Sequence, residues 1–553
     1  MRFEKAIKLT FAAIGILFLL SALSVLHYSQ GSTENLLYFD SWRVTEKLRT
    51  GAPINAYFFH NEHTFTFPTA VLWLDTQLSS GNLSLLHNIV YSAQLIIFGL
   101  LLCILRRRRG LGLGVFSTVA SASLLMTLWL SMSNQTAFTY PMLDVMAAAC
   151  LLSILAFAVL LGELLQGTHG RINETLLILI TVFVAALGFF SLETFIIVLV
   201  VGAFECYLRK RRSLLALLSL LIIACVFFYF NHLSSSLGRK SSVSAVNFEV
   251  VFSNSLKQLS GHVYHFFLEK NFDRTSAGHL AIAYSLAQLA VILLSLQSIY
   301  HHRYDLRLHQ RFAIYAISFA AVSIFSAVWL RFSTSPNIPP VPRYIWYATI
   351  LNWASLLLAF QLVKNDTRLI RNCSIAFIFI NVVFIALDFG VSHPSEKIIK
   401  SRAEMAVYAL SPGDERGLGP SSEVRGKILR EIQYQYLKKN KLSVFSHEGL
   451  SFLDHPITSL TRRDGRCEIL KVNRSARYKN SVMGIELTGD FDIASGYFLL
   501  IGDDDLVKSF SFVGKPKYSD KKHTALFSVK SETVNPKIIY LEAQNKNYVM
   551  CST

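Results

Sequence analysis

The stretch ETLLILITVFVAALGFFSLETFIIVLVVGAFECY, Glu174 to Tyr207, decides how this chain is threaded. Its long apolar course is interrupted by Ser191-Leu192-Glu193-Thr194. One helix of that length would overshoot a bilayer core, which about 20 residues cross. Two short helices with a tight turn at 191–194 fit better. A single tilted span is the alternative, and it would invert every crossing downstream.

Basic residues choose between the two. Apolar runs near 6–27, 88–105, 112–132, 142–165, 175–190, 193–208, 213–231, 279–300, 312–330, 344–363 and 373–391 predict eleven helices. Starting inside with Arg2, Lys5 and Lys8, eleven crossings bring three basic clusters to the cytoplasm. These are Arg106 to Arg109, Arg209 to Arg212, and Arg303, Arg307 and Arg311, joined by Lys364, Arg368 and Arg371. The outer turns at 133–140 and 191–194 carry no Lys or Arg. A single crossing over 174–207 would put Arg209 to Arg212 outside, against the positive-inside rule. The expectation is therefore an α-helical polytopic membrane protein of about eleven transmembrane helices, N-terminus in and C-terminus out.

Composition agrees. Of 553 residues, 52% are hydrophobic and only 16% charged, against roughly a quarter charged in soluble proteins. Mean hydropathy is +0.41. The apolar stretch from Ala6 to Leu26 is longer than a signal-peptide core of about 7–15 residues, so it reads as a retained first helix. The net charge of +17 sits largely beside the spans, where topology and anionic lipid account for it. No nucleic-acid motif accompanies it. Of the seven cysteines, Cys103, Cys150, Cys206, Cys225 and Cys373 fall in or beside apolar spans and read as small hydrophobes. Cys467 and Cys551 lie in the polar tail and could form a disulfide if that tail is extracytoplasmic.

Three polar segments fall outside. Asn231 to Gly278 carries Phe248, Val251, Leu256, Leu259, Val263, Phe266 and Phe267 as a rough helical stripe, suggesting an interfacial amphipathic helix. Arg331 to Arg343 holds Pro336, Pro339, Pro340 and Pro342, which forbid regular helix. The longest, roughly Tyr28 to Leu86, reads Tyr38-Phe39-Asp40-Ser41-Trp42-Arg43, Phe58-Phe59-His60-Asn61-Glu62-His63, then Trp73-Leu74-Asp75. A connection rarely needs such length, and it gathers acids, histidines and aromatics. From Ser392 the composition becomes that of a soluble, β-rich α+β domain, 392–553, opening with helices over Glu396–Leu410 and Ser421–Lys439. Strand-like runs at 484–488, 497–502 and 524–530 predict a small antiparallel β-sandwich.

Architecture and motifs together resemble the GT-C class of membrane glycosyltransferases, most of 1–391 being covered by the likeness. Asp40-Ser41-Trp42 and His60-Asn61-Glu62-His63 are similar to an acidic-acidic-Trp start and an Asn-Glu-His-Arg motif of bacterial membrane proteins of this type. Departures are Ser41 after the aspartate, Thr64 at the first arginine and Thr69 after Phe67-Pro68. The resemblance implies transfer of a sugar from a polyprenyl-phosphate or diphosphate carrier at the outer face of a bacterial inner membrane. The acceptor would be a lipid-linked or cell-envelope glycan. A first-loop aspartate would stand at the reaction centre.

The chemistry needs a base, because a hydroxyl is a poor nucleophile, and cations for the leaving phosphate. Asp40 is the expected base, with a helix N-cap over Ser41–Leu48 as its competing role. Glu62 is a second acid and His63 an acceptor or metal ligand, against a hydrogen-bonded turn for both. Asp75 could bind substrate or be a snorkelling polar face. Arg343 and Tyr344 open a late outer helix, where GT-C enzymes often carry an Arg-Tyr pair. The planar guanidinium suits carrier phosphate, and an interfacial anchor is the other reading. Arg331 is a second cation, while Glu193 and Asp144 could line the cavity, or else cap helices or make interhelical hydrogen bonds. A divalent cation such as Mg or Mn could assist the phosphate. His262/His265 and Asp503–Asp505 are weaker metal candidates, surface histidines and a solvated turn being the plainer readings. Rival classes are a transporter or flippase of lipid-linked sugars, which favours repeats and midplane charge, and a non-catalytic assembly partner.

Overall fold

A computed structural model describes residues 64–107, 111–130, 141–166, 173–236, 247–301, 306–332, 340–341, 344–363, 367–390, 456–475, 481–489, 496–502, 504–512, 522–529, 537–542 and 547–552. Most of 9–23 and a few positions near 50 and 440 are also described. The chain divides into two compact units. The first comprises Met1–His27, Pro53–Ala70 and Asn88–Pro394, and the second Tyr28–Ala52, Val71–His87 and Ser395–Thr553.

The helices are α1 (Thr66–Leu78), α2 (Ser84–Arg106), α3 (Val115–Trp129), α4 (Pro141–Gln166), α5 (Glu174–Ser191), α6 (Ile196–Leu208) and α7 (Arg212–Ser236). They continue as α8 (Phe248–Leu259), α9 (Gly261–Glu269), α10 (Arg274–His301), α11 (Leu308–Phe332), α12 (Ile345–Leu362) and α13 (Arg368–Gly390). The first expected span is described chiefly over 12–20, which is helical. Among the described residues, seven helices are long and apolar enough to cross a membrane: α2, α4, α5, α7, α10, α11 and α12. At 15 and 13 residues, α3 and α6 are only about 20 Å long, short of a core of about 30 Å.

The deciding stretch breaks at the expected turn. Helix α5 ends at Ser191, a 3-10 turn spans Glu193–Phe195, and α6 follows. The reversal depends on Gly188, where a Cβ would come within 2.6 Å of the Phe195 ring. Start signals are local and visible in the sequence. Asn173 Oδ1 accepts the Thr175 amide at 2.9 Å, and Asn247 Oδ1 those of Glu249 and Val250. Asp273 does the same for Thr275 and Ser276 at the head of α10.

Helix α12 is the most enclosed element, buried from Ile345 through Ala359, and it packs against α11, α13, α10, α8, α9 and α3. Apolar all round, it is a core helix. Close packing across small residues such as Ala348, Ala354 and Ala359, rather than escape from water, holds such a helix in a bilayer.

The segment read as an amphipathic helix forms two, α8 and α9. Its stripe is inside at Val251, Leu256, Val263 and Phe266, while Phe248 is 68% exposed. Polar side chains go inside as well, for Asn254, Ser255 and Gln258, on the face of Val251, are all enclosed, while Phe252 is exposed. An interfacial helix would keep those side chains wet; here α10, α11 and α12 cover them.

In the second unit the strands are β1 (Thr461–Arg462), β2 (Cys467–Ser475), β3 (Ser481–Gly489), β4 (Gly496–Ile501), β5 (Val507–Phe512), β6 (Lys522–Val529), β7 (Lys537–Glu542) and β8 (Asn547–Cys551). They form a five-stranded sheet, β1-β8-β7-β4-β5, and a three-stranded sheet, β2-β3-β6. Every pairing is antiparallel except β1 with β8. Met483, Ile485 and Leu487 of one sheet meet Phe498, Leu500, Ile538 and Tyr540 of the other in one core, the two-layer arrangement expected of a sandwich. Cys467 and Cys551 are disulfide-bonded at the edge of that core. The helices expected over Glu396–Leu410 and Ser421–Lys439 lie almost wholly outside the described residues.

Candidate functional site

Three helices of the first unit, α2, α4 and α5, enclose an open cavity of about 340 Å³ together with Phe67 of α1. Its walls are apolar, with Ile96, Ala148, Leu152 and Leu187 among them, and Asn88 and Ser92 supply the polar groups. All but Phe67 come from helices long and apolar enough to span a bilayer.

Beside it the chain entering α1 is tied to the α5–α6 reversal. The Thr64 amide donates to Glu193 Oε2 at 3.1 Å, and the Thr64 hydroxyl to Phe189 O at 2.6 Å. Glu193 therefore ties the segment before α1 to the turn between α5 and α6. Cys150, fully buried on α4, lies within electrostatic reach of the same carboxylate. Asp144, in the first turn of α4, is also fully buried and is an electrostatic neighbour of Tyr91. Residue 145, which follows it, lines the cavity.

Asp75 has a structural task. Its Oδ2 accepts the Leu83 amide at 2.8 Å, and its Oδ1 those of Leu85 and Leu86 at 3.0 and 3.3 Å. These are orphan amides of the first turn of α2, which Leu83, at φ 63°, has no side chain to cap. The chain reaches them by doubling back through left-handed Ser80 and Gly81, at φ 52° and 70°. Burial pushes the Asp75 carboxyl above its ordinary range, and the amides of Leu83, Leu86 and Leu85 pull it back. It is 0% exposed, so the snorkelling reading is corrected: the carboxylate is turned inward as a cap.

Tyr344 is buried at the N-cap of α12, its ring 6.0 Å from that of Tyr347. Arg331 lies in the last turn of α11, its side chain outside the described residues. Asp40, Glu62, His63 and Arg343 lie outside them too. The metal candidates fare differently. His265 Nε2 is 2.9 Å from Pro340 O, and His262 Nε2 faces Asn352 Nδ2 at 3.5 Å. Asp504 and Asp505 are paired with Lys508 and Lys537. Among the described residues no group of three His, Cys, Asp or Glu could hold a metal ion.

Two polar clusters escaped the sequence reading. Glu205 at the end of α6 receives Arg311 Nε at 3.1 and 2.8 Å, Arg311 Nη2 at 2.7 Å and Tyr315 Oη at 2.9 Å. Arg209 approaches the same carboxylate at 3.3 Å. The sequence placed Arg311 only among topology charges, but it is 0% exposed. The other cluster joins α9, α10, α12 and α13: Tyr284 Oη stands 2.7 and 2.8 Å from the Oδ1 atoms of Asn352 and Asn381 and donates to one at a time. His262 packs edge-on against that tyrosine, and burial lowers its pKa to about 4. Glutamate and arginine inside apolar helices were the available signal for the first cluster.

No family model matches the chain, and no curated protein or solved structure matches it.

Proposed function

We propose that this chain is a membrane glycosyltransferase that moves a sugar from a polyprenyl-phosphate carrier to a lipid-linked or cell-envelope glycan at the outer face of a bacterial inner membrane. The observation that carries the reading is the apolar cavity between α2, α4 and α5, whose wall begins where the long first loop re-enters the helices. It offers a hydrocarbon chain a seat near the polar turn of Glu193 and Thr64. The reading takes eleven crossings with the C-terminal domain outside. The disulfide between Cys467 and Cys551 supports that side, since such bonds persist in oxidising compartments.

In this reading Asp40 takes the proton of the acceptor hydroxyl as its oxygen bonds to C1, while Glu62 and His63 orient the acceptor. Arg343, with Tyr344 and Arg331 nearby in sequence, holds the departing phosphate. Asp75 drops out of the site, its oxygens being given to the head of α2. The test is single-turnover transfer in proteoliposomes from a polyprenyl-phosphate sugar. Asp40→Asn is expected to lower turnover by at least about a hundredfold, as loss of general base catalysis does. Wild-type rates in that variant refute the assignment. A flippase of lipid-linked sugars is the second reading, favoured by the buried Glu205–Arg311 pair, since charge inside apolar helices often marks a transport path. It would move labelled lipid across the bilayer without making a glycosidic bond.

A further inference from the structure

Helix α1 is polar on its buried side and apolar on its exposed one. Thr69, Asp75 and Thr76 are enclosed together with Val71 and Leu72. Thr76 turns its hydroxyl back to Leu72 O at 2.8 Å, and Asp75 gives both oxygens to the head of α2. On the other side Ala70, Trp73, Leu74, Gln77 and Leu78 are exposed, Leu78 at 72%. Steps of three and one residues put these five on a single helix face. A helix on a water-facing surface shows the reverse, polar outside and apolar within. From Thr64 through Leu86 the only charged side chain is Asp75, and it is turned in.

Both ends of this helix are tied to neighbouring helix ends. Just before it, Thr64 bonds Glu193 and Phe189 O at the reversal that closes α5. Near its finish, Asp75 holds the first turn of α2. Those two places lie at one end of the helices, because Leu187, one turn from the end of α5, and Asn88, one turn into α2, line the same cavity. A helix pinned in this way runs along the boundary of any bilayer that α2 and α5 cross. At 13 residues, about 20 Å, it is too short to cross one itself. Past the turn, α2 continues the exposed apolar surface with Leu95 and Ile96, on a helix of bilayer length.

We infer that α1 is an interfacial helix whose exposed face, Ala70, Trp73, Leu74 and Leu78, is sunk into the leaflet at which α5 ends and α2 begins. The partner is lipid at the boundary of headgroups and acyl chains, where such a face lies about 5–10 Å deep. Tryptophan suits that depth, its ring being apolar and its N–H free to meet a headgroup. The inward cap made by Asp75 is what keeps the face uncharged. The first turn of the same helix supplies Phe67 to the cavity wall, so α1 fixes that wall at the lipid boundary. The inference needs a bilayer but not the glycosyltransferase reading, and either can fail without the other.

The test uses the full chain in phosphatidylcholine nanodiscs, with the exposed free thiols Cys103 and Cys373 changed to Ser. Ala70→Cys, Trp73→Cys, Leu74→Cys and Leu78→Cys are made singly and each is given a nitroxide. All four positions are exposed, so the label displaces no packed neighbour. Collision rates are then compared for oxygen, which concentrates in lipid, and for a nickel chelate, which stays in water. Oxygen is expected to prevail at all four positions. Val71→Cys and Thr76→Cys, on the buried side, are expected to meet neither reagent, giving a pattern of helical period. Nickel prevailing at 70, 74 and 78 puts the face in water and overturns the inference. Low access to both reagents there overturns it too, since a second copy or another protein then covers the face.

Discussion

Replacing Glu205 by Gln tests how the α6–α11 contact is held. In the native chain Arg311 gives Nε and Nη2 to that carboxylate, and Tyr315 adds its hydroxyl at 2.9 Å. With Arg311 fully enclosed, water cannot replace a lost counter-charge. Breaking one side of such a pair costs about 3–5 kcal/mol, so Glu205→Gln and Arg311→Met should each destabilise by that order. The double substitution removes both charges and is expected to recover much of the loss, giving a coupling of about 2 kcal/mol or more. Cys206, next to Glu205 and 0% exposed, provides the assay, because its thiol reacts only when this contact opens. Cys103 and Cys373, exposed, are first changed to Ser. Labelling rates in nanodiscs then report opening free energies for wild type, both single variants and the double. If the double variant opens as readily as the two singles summed, the groups act independently and the reasoning fails.

Asp75→Ala is expected to cost about 1–3 kcal/mol by orphaning the amides of Leu83, Leu85 and Leu86, read as faster hydrogen exchange at the start of α2; unchanged exchange there contradicts the capping role. Burial holds His262 at a pKa of about 4, below the usual 6.5, so its contribution is complete above pH 6.5 and is lost as pH falls toward 4. The loss approaches about 3 kcal/mol, with His265, also lowered by burial, acting in the same sense, and exchange over 261–269 that stays flat across that range would refute it. Cys467→Ser is expected to remove about 2–5 kcal/mol from the β-sandwich, measured by denaturant unfolding with and without reductant. Equal stability of the two forms would show that β2 and β8 need no bond.

Residues whose partners lie nearby in sequence were legible. The apolar runs located the helices, and Ser191 to Thr194 located the reversal, though its steric reason, Phe195 against Gly188, appears only in three dimensions. Alternation in Gly484–Thr488, the apolar bunching of Tyr497–Gly502 and the run Thr524–Lys530 foretold β3, β4 and β6. Asp75 was visible as an acid beside aromatics, yet its cap depends on left-handed Ser80, Gly81 and Leu83, and no periodicity announces a leucine at positive φ. Hydrophobic patterning places a stripe but is silent about polar partners. Gln258 and Val341 lie 83 residues apart, and Glu205 and Arg311 106 apart, so nothing local pairs them. Of the candidate site, Glu193 and Tyr344 were found where expected, at a helix reversal and a helix start. Asp40, Glu62 and Arg343 belong to the proposal alone.

Gly162 leaves a mark that inheritance should preserve. Any side chain at that point of α4 would set its Cβ 2.5 Å from Arg311 Nη1 and 2.9 Å from Leu308 Cδ2, driving the guanidinium off its carboxylate. Descendants of this chain can therefore enlarge position 162 most readily where position 311 has surrendered its arginine. Among relatives the two columns should change in step, glycine surviving wherever the arginine does.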